Sequence, residues 1–240
     1  MGYIQGFVMA IPAENRDAFS THAGRASPLL REFGAARVVE TWGDDVPEGK
    51  INDLHGAVAA TADETVSFGW MEFPDKAARD AAFDQMMSDP RMHAIGDMPF
   101  DGHRMIFGGF EPLVDVGDAG VPGYIDGFVL PVPRDNRPAY KAMAEQAAVV
   151  FQEHGAKRVV EAWGDDLPLG EVTDFARAAH AESNEEVVFA WIEWADRTAR
   201  DAGIAGAMAD PRLGETPPDM PFDGKRLIMG GFEVLLVDAD

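Results

Sequence analysis

Apolar residues that recur at every second position predict four strands in the first half of the chain. The strands are Tyr3–Ile11, Ala36–Trp42, Thr65–Phe73 and Arg104–Val114. Tyr3–Ile11 is apolar on both faces, as is typical of a central strand that is covered on two sides. In Thr65–Phe73 the strict alternation places Phe68, Trp70 and Glu72 on one face.

Apolar spacing of three and four residues predicts two helices between these strands. Ala13–Phe33 is the longer helix, and Gly34 ends it. Lys76–Ser88 is the second helix, which Asp75 caps. Leu54–Ala60 fits either period, and we interpret it as a further strand that enters a hairpin.

The second half of the chain repeats the first. Three recurring segments are Tyr-Ile-x-Gly-Phe-Val, Glu-x-Trp-Gly-Asp-Asp-x-Pro and Met-Pro-Phe-Asp-Gly, and roughly half of all aligned positions are identical. The offset is 121 up to Met92 and 122 from Met98 onward, so one inserted residue separates the copies. This agreement indicates a tandem duplication of a whole domain.

The order of elements in each copy is β-α-β-(β)-β-α-β, the ferredoxin-like pattern with an added hairpin arm. A sheet of this kind carries helices on one face only, yet the opposite face is apolar in strand after strand. The second copy is the obvious cover. We therefore predict an α+β protein in which two ferredoxin-like domains, residues 1–117 and 122–240, close into one intrachain α/β barrel.

The recurring motifs also resemble a known family. Val-Val-Glu-x-Trp-Gly-Asp-Asp-x-Pro, Phe-x-Trp-x-Glu, Met-Pro-Phe-Asp-Gly-x-Arg and Gly-Gly-Phe-Glu look like the YbaA-like bacterial family, a domain of unknown function. Its members are typically single-copy, so this chain resembles a fused dimer. The resemblance implies the dimeric α/β-barrel superfamily, which includes cofactor-free monooxygenases, haem-degrading enzymes and many members without assigned chemistry. No catalytic residue carries over from it.

The chain is strongly acidic, with a net charge of −22 that the two halves share evenly. Nucleic-acid binding needs clustered Lys and Arg, which neither half has, so we expect no nucleic-acid partner. No apolar run is long enough to span a membrane, and no N-terminal stretch is typical of a signal peptide. Together with the absence of cysteine, this favours a cytoplasmic protein without disulfides or a thiolate nucleophile.

Tryptophans are the most suggestive side chains for ligand binding. Trp42 and Trp70 recur as Trp163 and Trp191. If their strands line the barrel, they could form the wall of an apolar pocket for a flat or hydrophobic molecule. The alternative is that they fill the core between sheet and helices, as large aromatic residues commonly do.

Glu72 and Glu193 alternate with aromatic residues and pose a question of acid–base chemistry. A carboxylate in apolar surroundings has a raised pKa and could serve as a general acid or base. Alternatively, each lies at a strand end, exposed or paired with an arginine such as Arg104 or Arg226. Two glutamates one strand over, Glu40 and Glu161, pose the same question.

Asp44 and Asp165 each begin a loop, where hard-cation ligands can gather. The loop lacks the order of an EF-hand, and turn formation explains the aspartates more simply. No histidine recurs in the other copy, and no serine-triad or phosphate-loop motif is present. We therefore expect no metal and no cofactor.

The first functional hypothesis is binding of a small apolar or aromatic molecule beside the tryptophans. Its enzymatic version is a cofactor-independent oxygenase or isomerase, and the rival is a non-catalytic assembly or stress protein. The candidate ligand-binding residues are Trp42, Asp44, Trp70, Glu72, Arg104, Trp163, Asp165, Trp191, Glu193 and Arg226. The sequence identifies no catalytic residue. The expected partners are a small molecule and, beyond the intrachain pseudo-dimer, a possible second copy of the chain.

Overall fold

A computed structural model of the protein describes residues 2–213 and 220–239, whose eight strands close into one barrel. The strands are β1 (Tyr3–Pro12), β2 (Arg37–Asp45), β3 (Glu64–Phe73), β4 (Ile106–Gly117), β5 (Tyr124–Pro133), β6 (Arg158–Asp166), β7 (Glu185–Trp194) and β8 (Ile228–Ala239). Around the barrel the order is β1-β3-β2-β8-β5-β7-β6-β4, and every pairing is antiparallel. The predicted intrachain α/β barrel of two ferredoxin-like repeats is confirmed.

The helices of the described residues surround the barrel. They are α1 (Arg16–Glu32), α2 (Leu54–Ala57), α3 (Lys76–Ser88), α4 (Pro90–His93), α5 (Arg137–Glu153), α6 (Phe175–Ala178) and α7 (Arg197–Ala209). Most of them lie on its outer face, and two short ones, α2 and α6, pack against its core. The helix α1 ends where Gly34 takes a φ of +119°, and Gly155 ends α5 with a φ of +102°. These are left-handed conformations that glycine adopts without steric cost.

The prediction of a strand and hairpin arm over Leu54–Ala60 is wrong, because this segment begins with the short helix α2. The Asp53 side chain accepts a hydrogen bond of 2.7 Å from the backbone N–H of Gly56, which caps the helix. Ala59 then adopts a φ of 49° and ends it. The apolar residues of α2 pack into the barrel core, and this burial has no two-residue period in the sequence.

Each repeat uses its edge strands to bind the other repeat. In space, one half of the sheet has the strand order β4-β1-β3-β2 and the other has the order β8-β5-β7-β6, and the halves are joined at β2–β8 and β4–β6. The β2–β8 ladder runs from Arg37 opposite Ala239 to Asp45 opposite Gly231. No edge strand is left open in the described part of the chain, because closure pairs them all. The inserted residue that separates the copies falls between residues 213 and 220, outside the described residues.

Side chains divide between the barrel interior and the layer under the helices according to strand alternation. On β3, Phe68 and Trp70 point into the interior, whereas Met71 and Phe73 belong to the helix-covered layer. On β2, Val39 faces the interior, and the even-numbered positions face α1 and α3. The fold therefore offers two kinds of place for a site, the barrel centre and the space beneath the helices.

Candidate functional site

Aromatic rings fill the centre of the barrel. Phe68 stacks on Phe189 with ring centroids 4.2 Å apart and planes at 3°, and Trp70 contacts Trp191 at 4.3 Å. All four side chains are fully buried. Gly127 makes room for this stack, since a Cβ there would lie 2.8 Å from the Phe68 ring. These tryptophans therefore pack against each other across the two repeats.

Glu72 and Glu193 each accept two hydrogen bonds from an arginine of the opposite repeat. Arg37 donates to Glu193 at 2.7 and 2.9 Å, and Arg158 donates to Glu72 at 2.7 and 3.0 Å. Glu72 also accepts hydrogen bonds from Arg37 at 3.1 Å and from the indole N–H of Trp70 at 3.0 Å. Burial acts to raise the pKa of Glu72, but these donors outweigh it and hold that pKa below its ordinary value.

A cleft of about 360 Å³ reaches Glu72 and Arg158 from outside the barrel. Asp115 occupies the remaining donors of Arg158 with bonds of 2.8 and 2.9 Å. The charges at the bottom of this cleft are thus already paired within the chain. That arrangement holds the two repeats together.

Arg104 and Arg226 do not contact Glu72 or Glu193, so the suggested pairing with those glutamates is wrong. Each arginine instead makes a bidentate pair within its own repeat, with Glu64 and with Glu185. The distances are 2.6 to 2.7 Å. These pairs anchor the segment before the last strand of each repeat to the start of its third strand.

Asp44 and Asp165 link the two repeats. Asp165 accepts hydrogen bonds from Tyr3 at 2.8 Å and Lys76 at 2.9 Å, both from the first repeat. Asp44 is bound in the same way by Tyr124 and by an arginine of α7. Among the described residues, no group of three or more histidine, aspartate and glutamate side chains could hold a metal ion.

Trp42 and Trp163 lie outside the barrel, in the layer covered by α1 and α5. Arg16 stacks over Trp42 at 5.5 Å from the ring centroid, and Arg137 stacks over Trp163 at 5.2 Å. The ten residues suggested by the sequence are therefore dispersed. The structure does not gather them around one cavity.

A cavity of about 280 Å³ lies between the sheet and the helices of the first repeat. Three polar side chains, Gln5, His22 and Glu40, line it. The other lining residues are apolar, and six of them are methionines: Met9, Met71, Met86, Met92, Met98 and Met105. Five phenylalanines and three aliphatic residues complete the wall: Phe7, Phe19, Phe83, Phe100, Phe107, Ala23, Ala26 and Leu30. Methionine side chains are flexible and polarisable, so such a wall can adapt to ligands of different shape.

Glu40 projects from β2 into this cavity. The side chain is half-buried, and its Oε2 is sealed from solvent without a hydrogen-bond partner in the described part of the chain. Burial alone raises the pKa of Glu40 to about 8, so the carboxyl group is mostly protonated at neutral pH. The sequence raised the question for this glutamate but did not place it among the candidate residues. The available signal was strand alternation: Glu40 lies between Val38 and Trp42 at every second position, so its side chain is on the same face as theirs.

The equivalent cavity of the second repeat is smaller, about 140 Å³, and its carboxyl group is occupied. Tyr140 donates a hydrogen bond of 2.6 Å to Glu161. Burial raises the pKa of Glu161 to about 7, while the Tyr140 hydroxyl acts in the opposite direction. Phe19 occupies the position of Tyr140 in the first repeat. Both repeats thus have a glutamate at this position. In the second repeat Tyr140 donates a hydrogen bond to its carboxyl group, whereas in the first repeat Glu40 Oε2 has no donor among the described residues.

A sequence profile for the family described as "Protein of unknown function (DUF1428)" matches residues 2–102 and 123–224. The chain is also 54% identical over 116 residues to "Uncharacterized protein YbaA" of Escherichia coli strain K12, and the same match is found in Shigella flexneri. This region is 48% of the present chain and 99% of the relative. The relative is therefore one repeat long.

Solved structures with the same fold cover the whole chain. A putative monooxygenase from Fusobacterium nucleatum superposes with a TM-score of 0.60 at 9% identity, over 100% of this chain and 94% of that one. A putative monooxygenase from Lactobacillus acidophilus gives 0.59 at 11% identity, over 99% and 96%. At this identity the likeness concerns the fold. No helix of residues 2–213 and 220–239 is long and apolar enough to cross a membrane.

Proposed function

The chain belongs to the DUF1428 family of proteins of unknown function, and we propose that it binds one small, largely apolar molecule in the cavity of its first repeat. The observation that carries this proposal is an apolar cavity into which a single unsatisfied carboxyl group, that of Glu40, projects. Ligand sites are typically apolar with a few placed polar groups, and a volume of about 280 Å³ is just under their usual range of about 300–1,000 Å³, which suits a small molecule.

This proposal moves the binding site away from the barrel centre. The rings of Trp70 and Trp191 contact each other there. Their contacting faces are therefore not available to a ligand. Glu72 and Glu193 are held by arginines. The first-repeat cavity has the opposite character, since Glu40 keeps hydrogen-bonding capacity that no described side chain uses. A buried polar atom without a partner is destabilising, which favours a ligand that satisfies it.

Binding of a neutral fluorescent dye, N-phenyl-1-naphthylamine, tests this proposal. We expect a fluorescence increase that saturates at one dye per chain. Ala26→Leu narrows the first cavity and should weaken dye binding at least about tenfold, because the added side chain takes ligand volume. Ala147→Leu is the matched control, since Ala147 lines the second cavity at the equivalent position.

Equal loss in both variants, or dye binding that neither variant changes, would place the dye elsewhere. Absence of any fluorescence increase with the wild-type protein would contradict the proposal as a whole. The thermal unfolding of each variant serves as the check that the fold is retained.

A second candidate function is cofactor-independent oxygenase or isomerase chemistry, with Glu40 as the general base. The specific observation in its favour is the pKa of about 8, which suits proton transfer near neutral pH. Oxygen uptake in the presence of 1,4-dihydroxynaphthalene is the assay. The wild-type protein should accelerate uptake over buffer and Glu40→Gln should not, whereas equal rates for the two proteins would exclude Glu40 as the base.

A further inference from the structure

The duplication places two versions of one site in the same chain. In the second repeat a phenol group, that of Tyr140, donates its O–H to Glu161 at 2.6 Å. In the first repeat the corresponding ring is Phe19, and the Oε2 atom of Glu40 has no donor within the described residues. The two cavities therefore differ at the carboxyl group by one hydroxyl, which Tyr140 has and Phe19 lacks.

The two rings lie in equivalent positions. The centroid of Phe19 is 6.1 Å from that of Phe100 with planes at 75°, and the centroid of Tyr140 is 5.7 Å from that of Phe222 with planes at 72°. A hydroxyl group on the Phe19 ring would therefore point toward Glu40. Since no described residue donates to Glu40 Oε2, a bound molecule is the available source of a donor at that point.

The first cavity also has the space for such a molecule. Leu30 stands where the second repeat has the larger Phe151, and the cavity is about 280 Å³ in place of about 140 Å³. No lysine or arginine lines it, so an anionic ligand would find no counter-charge. His22 does not supply one, because burial and the nearby Arg25 lower its pKa.

We propose that the ligand of the first cavity is a phenol, or an equally small hydroxyl-bearing aromatic molecule, whose O–H donates to Glu40 as the Tyr140 O–H donates to Glu161. This inference rests on the proposed function and specifies its ligand class. The aromatic body lies against phenylalanine rings and methionine sulfurs, contacts that are favourable for a flat π-system. The second repeat binds no ligand, because Tyr140 supplies the hydroxyl from within.

Two probes of nearly the same shape separate the hydroxyl contribution from apolar burial. We would measure the affinities of 2-naphthol and 2-methoxynaphthalene by displacement of N-phenyl-1-naphthylamine at pH 7. The wild-type protein should prefer 2-naphthol by about fivefold or more, since leaving a buried acceptor unsatisfied costs about 1–3 kcal/mol.

Two variants test whether Glu40 is the source of this preference. Glu40→Leu removes the acceptor, and Phe19→Tyr satisfies it with an internal hydroxyl as in the second repeat. In both, the preference for 2-naphthol should fall below about threefold, because the carboxyl group at position 40 no longer offers an unsatisfied acceptor. Tyr140→Phe is the control, and it should leave the affinities at the first cavity unchanged.

The outcomes distinguish this inference from the function on which it rests. Equal displacement by both probes in the wild-type protein would overturn the ligand class while the apolar site stands. Dye binding that neither probe displaces would also overturn it. A preference that persists in Glu40→Leu would assign the hydroxyl contact to another group, and failure of the dye itself to bind would remove both proposals.

Discussion

Replacing Glu40 by glutamine should make the protein less sensitive to alkaline pH. Burial raises the pKa of Glu40 from its ordinary value of 4.5 to about 8, so the folded protein holds a proton that the unfolded chain releases. The stabilising contribution of the neutral carboxyl is complete below pH 4.5 and is lost as pH rises through about 8. Glutamine has nearly the same shape and no charge, so its contribution does not change with pH.

The magnitude follows from the size of the shift. One pKa unit corresponds to about 1.4 kcal/mol, so between pH 5.5 and pH 9 the wild type loses at most about 3.4 kcal/mol relative to Glu40→Gln. The exposed side chains of Met98 and Phe107 border the cavity, and water that enters past them reduces the penalty. We expect about 2 kcal/mol, which for 240 residues is about 4 °C in melting temperature.

Urea denaturation of both proteins at pH 5.5, 7 and 9 measures this difference directly. Subtracting the free energy of unfolding of the variant from that of the wild type cancels all other titrating groups. Glu161→Gln provides the internal comparison, with a smaller effect because the pKa of Glu161 is raised only to about 7. If wild type and Glu40→Gln lose stability in parallel from pH 5.5 to pH 9, Glu40 is not held neutral by burial.

Three further predictions concern the barrel itself. Arg158→Met should destabilise the protein by about 3 kcal/mol in urea denaturation because it removes two of the hydrogen bonds to the half-buried carboxylate of Glu72, whereas Arg91→Met, at an exposed pair, should have a much smaller effect; equal effects would contradict the role of the Arg158–Glu72 pair. Gly127→Ala places a Cβ 2.8 Å from the Phe68 ring and should lower stability by about 1–3 kcal/mol; an unchanged melting temperature would show that the stack is loose. A fragment containing only the first repeat should associate or aggregate, because its sheet exposes an apolar face and two open edge strands; a monomeric fragment with native-like near-ultraviolet circular dichroism would refute this.

Much of the fold could be predicted from the sequence because strand alternation and internal repetition are local signals. Tyr3–Ile11 is apolar on both faces, so the face opposite the helices also had to be buried. The sequence of the duplicated half indicated that the second repeat buries it. The segment Leu54–Ala60 could not be predicted in the same way. Its helix forms because Asp53 caps it and because its apolar residues pack into the barrel core. That packing exists only in the closed barrel, so the local sequence does not show it.

The site was harder to predict because its decisive contacts join distant parts of the chain. Arg37 meets Glu193 across 156 positions and Arg158 meets Glu72 across 86, so no spacing rule associates them. These pairings turn two apparent acid–base candidates into structural ion pairs. The importance of Glu40 rests on the absence of a partner, and sequence alone does not show which carboxyl groups lack one.

Methionine methyl groups offer the most direct test of where a ligand binds. The chain has twelve methionines, of which six line the first cavity, whereas Met143 lines the second. With ¹³C-methyl methionine labelling and N-phenyl-1-naphthylamine as the titrant, we predict resonance shifts at the six first-cavity residues and none at Met143. Shifts confined to Met143, or no shifts at any of the six, would contradict a ligand site in the first repeat.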